Sequence, residues 1–183
     1  MSVYQPSDEY LINCIKGGDI DKSSLLFERH YKNIYIYFFR LTRNKAESED
    51  LTQNVFLRLI RFRNSYKSDH LFLPWIFKIA HHVFIDHCNY KEKEISNLNN
   101  YCRISNDETD EETDEGKLEV FYCAFEKIPI DYKELIILNR FHKLTYKQIG
   151  ESLGLKERTV RQKAFRAIKR LRIEFEKLEN LDK

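Results

Sequence analysis

The chain has 183 residues, 42% of them apolar, which is enough for one ordinary domain or two small ones with packed cores. Five glycines and three prolines favour an all-helical protein. No apolar run approaches the ~20 residues that cross a bilayer, and the polar first ten residues do not read as a secretory signal, so a cytoplasmic protein without membrane insertion is expected. Cys14, Cys88, Cys102 and Cys123 are scattered with no CxxC pair, which excludes a disulfide or zinc framework; no cofactor and no metal is expected. The net charge of +2 hides a division. Residues 104–119 carry eight acids and one lysine, so the remainder of the chain is strongly basic.

The first helical pattern covers 8–16, with Leu11, Ile12 and Ile15 on one side, and Gly17 to Asp19 turn the chain. A longer helix over 23–42 has a wide apolar stripe of Leu26, Phe27, Tyr31, Ile34, Tyr35, Phe38 and Leu41. Residues 44–47 read as a break and Ser48 as the N-cap of the next helix, where Glu49 and Asp50 suit the positive end of the dipole. That helix runs to about Phe62 with Leu51, Val55, Phe56, Leu59 and Ile60 inward. A loop over 63–73 follows. Pro74 opens another helix, with Trp75, Ile76, Ile79, Ala80 and Val83 on its apolar face.

Periodicity fades over 90–119, where Asn97, Asn99 and Asn100 precede NDETDEETDEGKLE. Such a composition cannot bury enough apolar surface to fold alone and reads as a flexible acidic linker. Order returns near Leu118 with Val120, Phe121, Phe125 and Ile128, until Pro129 breaks the helix. Residues 131–141 form another, with Leu135, Ile136 and Leu138 inward. The expected architecture is all-α: two small helical domains, 1–96 and 118–183, joined by the linker 97–117.

The second domain holds the most specific stretch, TYKQIGESLGLKERTVRQKAFRAIKRL over 145–171. Thr145 and Gln148 make a capping box, Ile149 and Leu153 a short apolar face, and Gly154 a left-handed helix end. The second helix sets Val160, Ala164, Ala167, Ile168 and Leu171 on one face. The opposite face presents Arg158, Arg161, Gln162, Phe165, Arg166 and Lys169. Arginine can hold the O6 and N7 of guanine and glutamine the N6 and N7 of adenine, so this face suits a recognition helix in a major groove. Residues 140–172 contain eleven Arg and Lys against two Glu, which adds phosphate attraction.

With both domains laid out, the chain over about 25–175 resembles a bacterial sigma-70 family factor of the extracytoplasmic-function (ECF) type. Asp50-Leu51-Thr52-Gln53 followed by Val55-Phe56 is similar to the first half of the family's region 2. FLPWIFKIAHHVFID over 72–86 is similar to its second half, and the helix-turn-helix to region 4. The resemblance implies docking on core RNA polymerase, at the clamp helices of its largest subunit, through Asp50, Gln53 and Phe56. It implies recognition of the promoter −10 element by Arg58, Tyr66, Lys67, Ser68 and His82, with Tyr66 stacking on an unpaired base. It implies −35 reading by Arg161, Gln162, Phe165 and Arg166, with Arg140, Arg158, Thr159, Lys163 and Lys169 holding phosphate. The partners so implied are core polymerase, promoter DNA and, as often in the family, an anti-sigma factor. His82 stands where the family usually has Asn. Lys156 takes the usual Ser cap of the recognition helix.

Two other readings compete. A helix-turn-helix regulator that does not bind core polymerase would keep the DNA contact, and polymerase binding without DNA separates the two. A metal-dependent helical enzyme would need His81, His82, Asp86, His87 and Cys88. His82 and Asp86 share a helix face, yet no H-E-x-x-H glutamate accompanies them. No catalytic residue is assigned.

Overall fold

The computed structural model describes residues 5–97 and 115–180, which form helices and short turns. They fall into two compact units, one built on residues 1–105 and the other on the rest of the chain apart from 151–154. Of the acidic linker expected over 97–117, residues 98–114 lie outside the described residues, while Asn97 ends one helix and 115–117 open the next.

In the first unit α1 spans Asp8–Lys16. Ser7 caps it, accepting from the Tyr10 N–H at 3.2 Å, and Leu11, Ile12 and Ile15 are fully buried. Asp8 ties it to α2 (Ser23–Thr42), accepting from Arg29 at 2.9 Å and bonding His30 Nε2 at 2.7 Å. The helix α2 buries Leu26, Ile34, Tyr37, Phe38 and Leu41. It ends on Arg43 in the left-handed region, at φ 55°.

The break expected over 44–47 narrows to Arg43 and Asn44. Helix α3 spans Lys45–Arg61, with Asn44 as its cap, accepting from the Glu47 N–H at 3.0 Å. Asparagine satisfies the same orphan donors as serine, four residues earlier. Ser48 is instead buried inside the helix, donating to the Asn44 carbonyl at 2.6 Å. The loop over 63–73 is also shorter than expected. It opens with a single 3-10 turn, Arg63–Ser65, and α4 (Phe72–Asn97) starts two residues before Pro74. Proline is the third residue of that helix, where no intrahelical N–H bond is lost. Val55 and Leu59 of α3 and Ile76, Ala80 and Val83 of α4 complete a core in which the Tyr37 and Phe77 rings meet edge-on at 5.5 Å.

In the second unit α5 (Glu115–Glu126) packs against the last helix, α8 (Glu157–Glu179). Between them lie α6 (Ile130–Ile136) and α7 (Tyr146–Leu153). The helix expected over 131–141 begins at Ile130 and widens into a π turn at Ile137–Phe141, where the His142 N–H reaches back five residues to the Ile137 carbonyl. The capping box forms: the Thr145 N–H donates to Gln148 Oε1 at 2.8 Å, and the Gln148 N–H donates to Thr145 Oγ1 at 3.3 Å. The turn into α8 carries two unlike glycines. Gly154 sits at φ +67° in open space. Gly150 donates no conformational freedom but room: a Cβ there would stand 2.5 Å from the Leu155 carbonyl oxygen, whose own N–H donates to the Gly150 carbonyl at 2.8 Å.

The inward stripe of α8 runs Val160, Ala164, Ala167 and ends on buried Glu174, which accepts from Lys177 at 3.1 Å and pairs with Arg170 at 3.1 Å. Ile168, expected on that stripe, is 39% exposed. It lies about 100° around the helix from Ala167, off the line that 160, 164, 167, 171 and 174 define. Leu171 on that line is half-buried.

Candidate functional site

Three surfaces carry the residues singled out by the sequence. On α8 the N-terminal half of the outward face is open. Arg161, Gln162, Phe165 and Arg166 line one shallow depression, with Phe165 73% exposed. An exposed phenylalanine among two arginines and a glutamine offers an apolar contact beside donors that fit base edges. Arg161 is held by Glu157 at 2.8 Å, one turn earlier, which orients its guanidinium. Arg158, Lys169 and, in the π turn, Arg140 are exposed, while Thr159 is half-buried. Lys163 departs from a solvent-directed phosphate lysine: its ammonium pairs with Asp131 at 2.9 Å, at the start of α6. Lys156 precedes α8 in extended backbone with no side-chain cap, so the helix dipole meets a cation instead of an acceptor.

The second surface is the outer face of α3. Asp50 and Gln53 are exposed there. Phe56 is not with them: it is 8% exposed and meets the Phe27 ring edge-on at 4.8 Å. The apolar side chain that shares their face is Leu57, 69% exposed. It follows Asp50 by seven positions and Gln53 by four, the spacing of one helical stripe. On α2, Phe27, Tyr31, Tyr35 and Phe39 form a ladder of successive ring contacts at 5.0, 6.3 and 5.9 Å. Burial, then the nearby Glu49 carboxylate and Tyr31, push the Tyr35 hydroxyl above the ordinary phenol range.

The third surface joins α3, the loop 66–71 and α4. Arg58 donates to Asn54 Oδ1 at 3.0 Å and to Asp86 Oδ2 at 2.7 Å, bridging α3 to α4. Asp86 stands one turn after His82, which is exposed. Lys67 is exposed, and Ser68 donates to Asn13 Oδ1 of α1 at 2.8 Å. Tyr66 departs from a stacking platform. Its side chain is 1% exposed, packs edge-on against Trp75 at 5.3 Å and donates its hydroxyl to the His70 carbonyl. Burial, then the carboxylates of Glu9 and Asp69, raise that hydroxyl above its usual range, so it stays a donor. The ring builds the loop from beneath. Arg58, Asp86 and His82 thus gather on one patch, and Lys67 with Ser68 on a loop strapped to α1.

Comparison with known proteins identifies the family of the chain. Residues 26–94 match the family model for sigma-70 region 2, and residues 118–171 that for sigma-70 region 4. The ECF RNA polymerase sigma factor SigE of Mycolicibacterium smegmatis is 26% identical over 178 residues, covering 92% of this chain and 69% of that protein. The RNA polymerase sigma factor YlaC of Bacillus subtilis is 27% identical over 134 residues, 70% of this chain and 78% of that protein. The sigma factor RpoE of Bartonella quintana, solved in complex with the anti-sigma factor NepR, shares the fold with a TM-score of 0.73. It is 18% identical and covers 87% of this chain and 98% of that one.

Proposed function

This chain belongs to the sigma-70 family, as an extracytoplasmic-function factor that directs RNA polymerase to promoters, and from that premise we propose how its surfaces divide the work. The α3 stripe of Asp50, Gln53 and Leu57 docks on the clamp helices of core polymerase, a polar rim around an apolar anchor. Phe56 supports the stripe from below. The α8 depression reads the −35 element through Arg161, Gln162, Phe165 and Arg166, while Arg140, Arg158, Thr159 and Lys169 hold phosphate. Lys163 joins them only by giving up Asp131.

At the −10 element Lys67 and Ser68 present the loop to an extruded base and His82 offers a donor or acceptor from α4. Arg58 reaches phosphate by exchanging Asp86 for it. Tyr66 shapes the loop and does not stack. The chain contributes binding and strand separation; the phosphoryl-transfer chemistry is the polymerase's, and the cytoplasm is where that enzyme would be met. The domains assigned to this work are 1–96 and 118–183, with the acidic segment 97–117 as tether. An anti-sigma factor would act by covering the α3 stripe or the DNA-facing patches.

The observation that carries the reading is the match to both regions, in order, with the α8 reading face open to solvent. Run-off transcription with core polymerase from the source bacterium tests it, on fragmented genomic DNA with and without this protein. New discrete start sites sharing two spaced elements are expected. Core binding with no new start, on any fragment, would argue against promoter selection. DNA binding without core binding would return the chain to the class of ordinary helix-turn-helix regulators.

A further inference from the structure

We propose that the polar face of α1, Glu9, Asn13 and Lys16, is a positioning template that sets the shape of the −10 reading loop. The inference rests on the reading that the loop 63–73 meets the −10 element. These three residues stand four and three apart, so they share one face of α1. Each grips a different point of the loop. The Lys16 ammonium donates to the Tyr66 carbonyl at 2.9 Å. Asn13 Oδ1 accepts from the Ser68 hydroxyl at 2.8 Å. Glu9 Oε1 accepts from the Phe72 N–H at 3.1 Å, at the first residue of α4.

The partners are separated by 50, 55 and 63 positions in the chain, so no local preference of the loop accounts for them. The asparagine is itself oriented: its amide donates to the Glu9 carbonyl at 2.8 Å, which leaves the oxygen as the acceptor offered to Ser68. The template is rigid on its other side. Leu11, Ile12 and Ile15 are fully buried, and Asp8 is fastened to Arg29 and His30 of α2. The loop is therefore pinned at its start, middle and end to a helix that is locked to the core. Between the pins lies exposed Lys67, and the buried Tyr66 ring fills the space beneath. None of the three α1 side chains needs to touch DNA. Their effect is to hold Lys67 and Ser68 in one geometry before a base arrives, which reduces the ordering cost of binding and sharpens discrimination.

The test uses the full chain with core polymerase on a template library randomised at the −10 element, and a second library randomised at −35. The variants are Asn13→Leu and Lys16→Met, the conservative Lys16→Arg, and the loop variant Lys67→Ala. Loosening the loop should lower −10 discrimination by about fivefold to tenfold in N13L and K16M. Discrimination at −35 should not move, and K16R should keep most of the wild-type preference. A merely structural loss would lower transcript from every template alike and leave the ratios unchanged. If K67A alters −10 preference while N13L and K16M do not, the template is wrong and the loop reading survives. If K16R loses as much as K16M, the pin to Tyr66 is not what positions the loop. If no variant, K67A included, changes −10 preference, the loop reading itself falls and takes the template with it.

Discussion

Phe56 and Leu57 are neighbours in sequence with opposite fates, and helical geometry decides which is which. At about 100° per residue, position 57 returns to within about 20° of position 50, whereas 56 points well away from it. Phe56 is the more conspicuous residue of the motif, yet the spacing from Asp50 and Gln53 marks Leu57. Leu57→Ala removes little buried area, so the melting behaviour should change by no more than about 0.5 kcal/mol. Retention on core polymerase should nevertheless fall by about tenfold, as for an interface anchor. Phe56→Ala, which empties a packed site against Phe27, should cost about 3 kcal/mol of stability. Pull-down and thermal melts of the two variants read these outcomes separately. Full retention of L57A would move the anchor elsewhere. Tyr66 was beyond this kind of reasoning. It sits in a loop, where no period says which way a side chain points, and its partners Lys16 and Trp75 belong to other elements.

The helix-turn-helix was the most legible element, because its punctuation is local: the Thr145–Gln148 box, Gly154, and the apolar spacing of α8. The π turn at Ile137–Phe141 was not, since widening from four to five residues leaves no mark in a short apolar run. The early start of α3 is not legible in the sequence because Asn44 and Ser48 are both good caps and only the fold chooses between them. Lys156 marks a correctable weakness. Replacing it by Ser should supply the missing acceptor and raise stability by about 0.5–1 kcal/mol, seen as a rise of a few degrees in the melting temperature. An unchanged melt would mean that the first turn of α8 is satisfied otherwise.

At the far end of the same helix, Glu174 titrates below the ordinary carboxylate range. The hydrogen bond from Lys177 is the largest cause, opposed by burial and aided by the charges of Lys177, Arg170 and Lys127. A carboxyl lowered by folding stabilises above its unfolded range, about pH 4.3, and that stabilisation disappears as pH falls through the lower folded value. Glu174→Gln should therefore melt below the parent at pH 7, and the two curves should converge in acid. A difference that persists with the carboxyl protonated would assign the effect to packing.

For the whole molecule, the all-α class and the order of its helices followed from low glycine and proline content and from the 3.6-residue period. What periodicity could not supply were the contacts between distant segments, and these are where α1 acquires its role. Charge is also a property at this scale. The basic excess over 140–172 faces DNA in the proposed complex, while much of the compensating acid lies at 104–119. With three cationic phosphate contacts, Arg140, Arg158 and Lys169, −35 binding should fall roughly fortyfold between 50 and 200 mM salt. Fluorescence anisotropy on a −35 duplex measures that slope, and Lys169→Ala should flatten it by about one unit without changing base preference. A salt-independent affinity would leave the basic face without its assigned partner.

The two glycines of the helix-turn-helix have unequal evolutionary latitude. At position 154 the constraint is a dihedral angle with empty space around it, and asparagine, the side chain most tolerant of that region, should recur among functional variants. At position 150 the obstacle is a backbone carbonyl, which no side chain can rearrange around. A saturation library selected for promoter use should tolerate a small set of residues at 154 and return glycine alone at 150. The segment would then drift in one letter and stay fixed in the other for as long as the Leu155 carbonyl lies against Gly150.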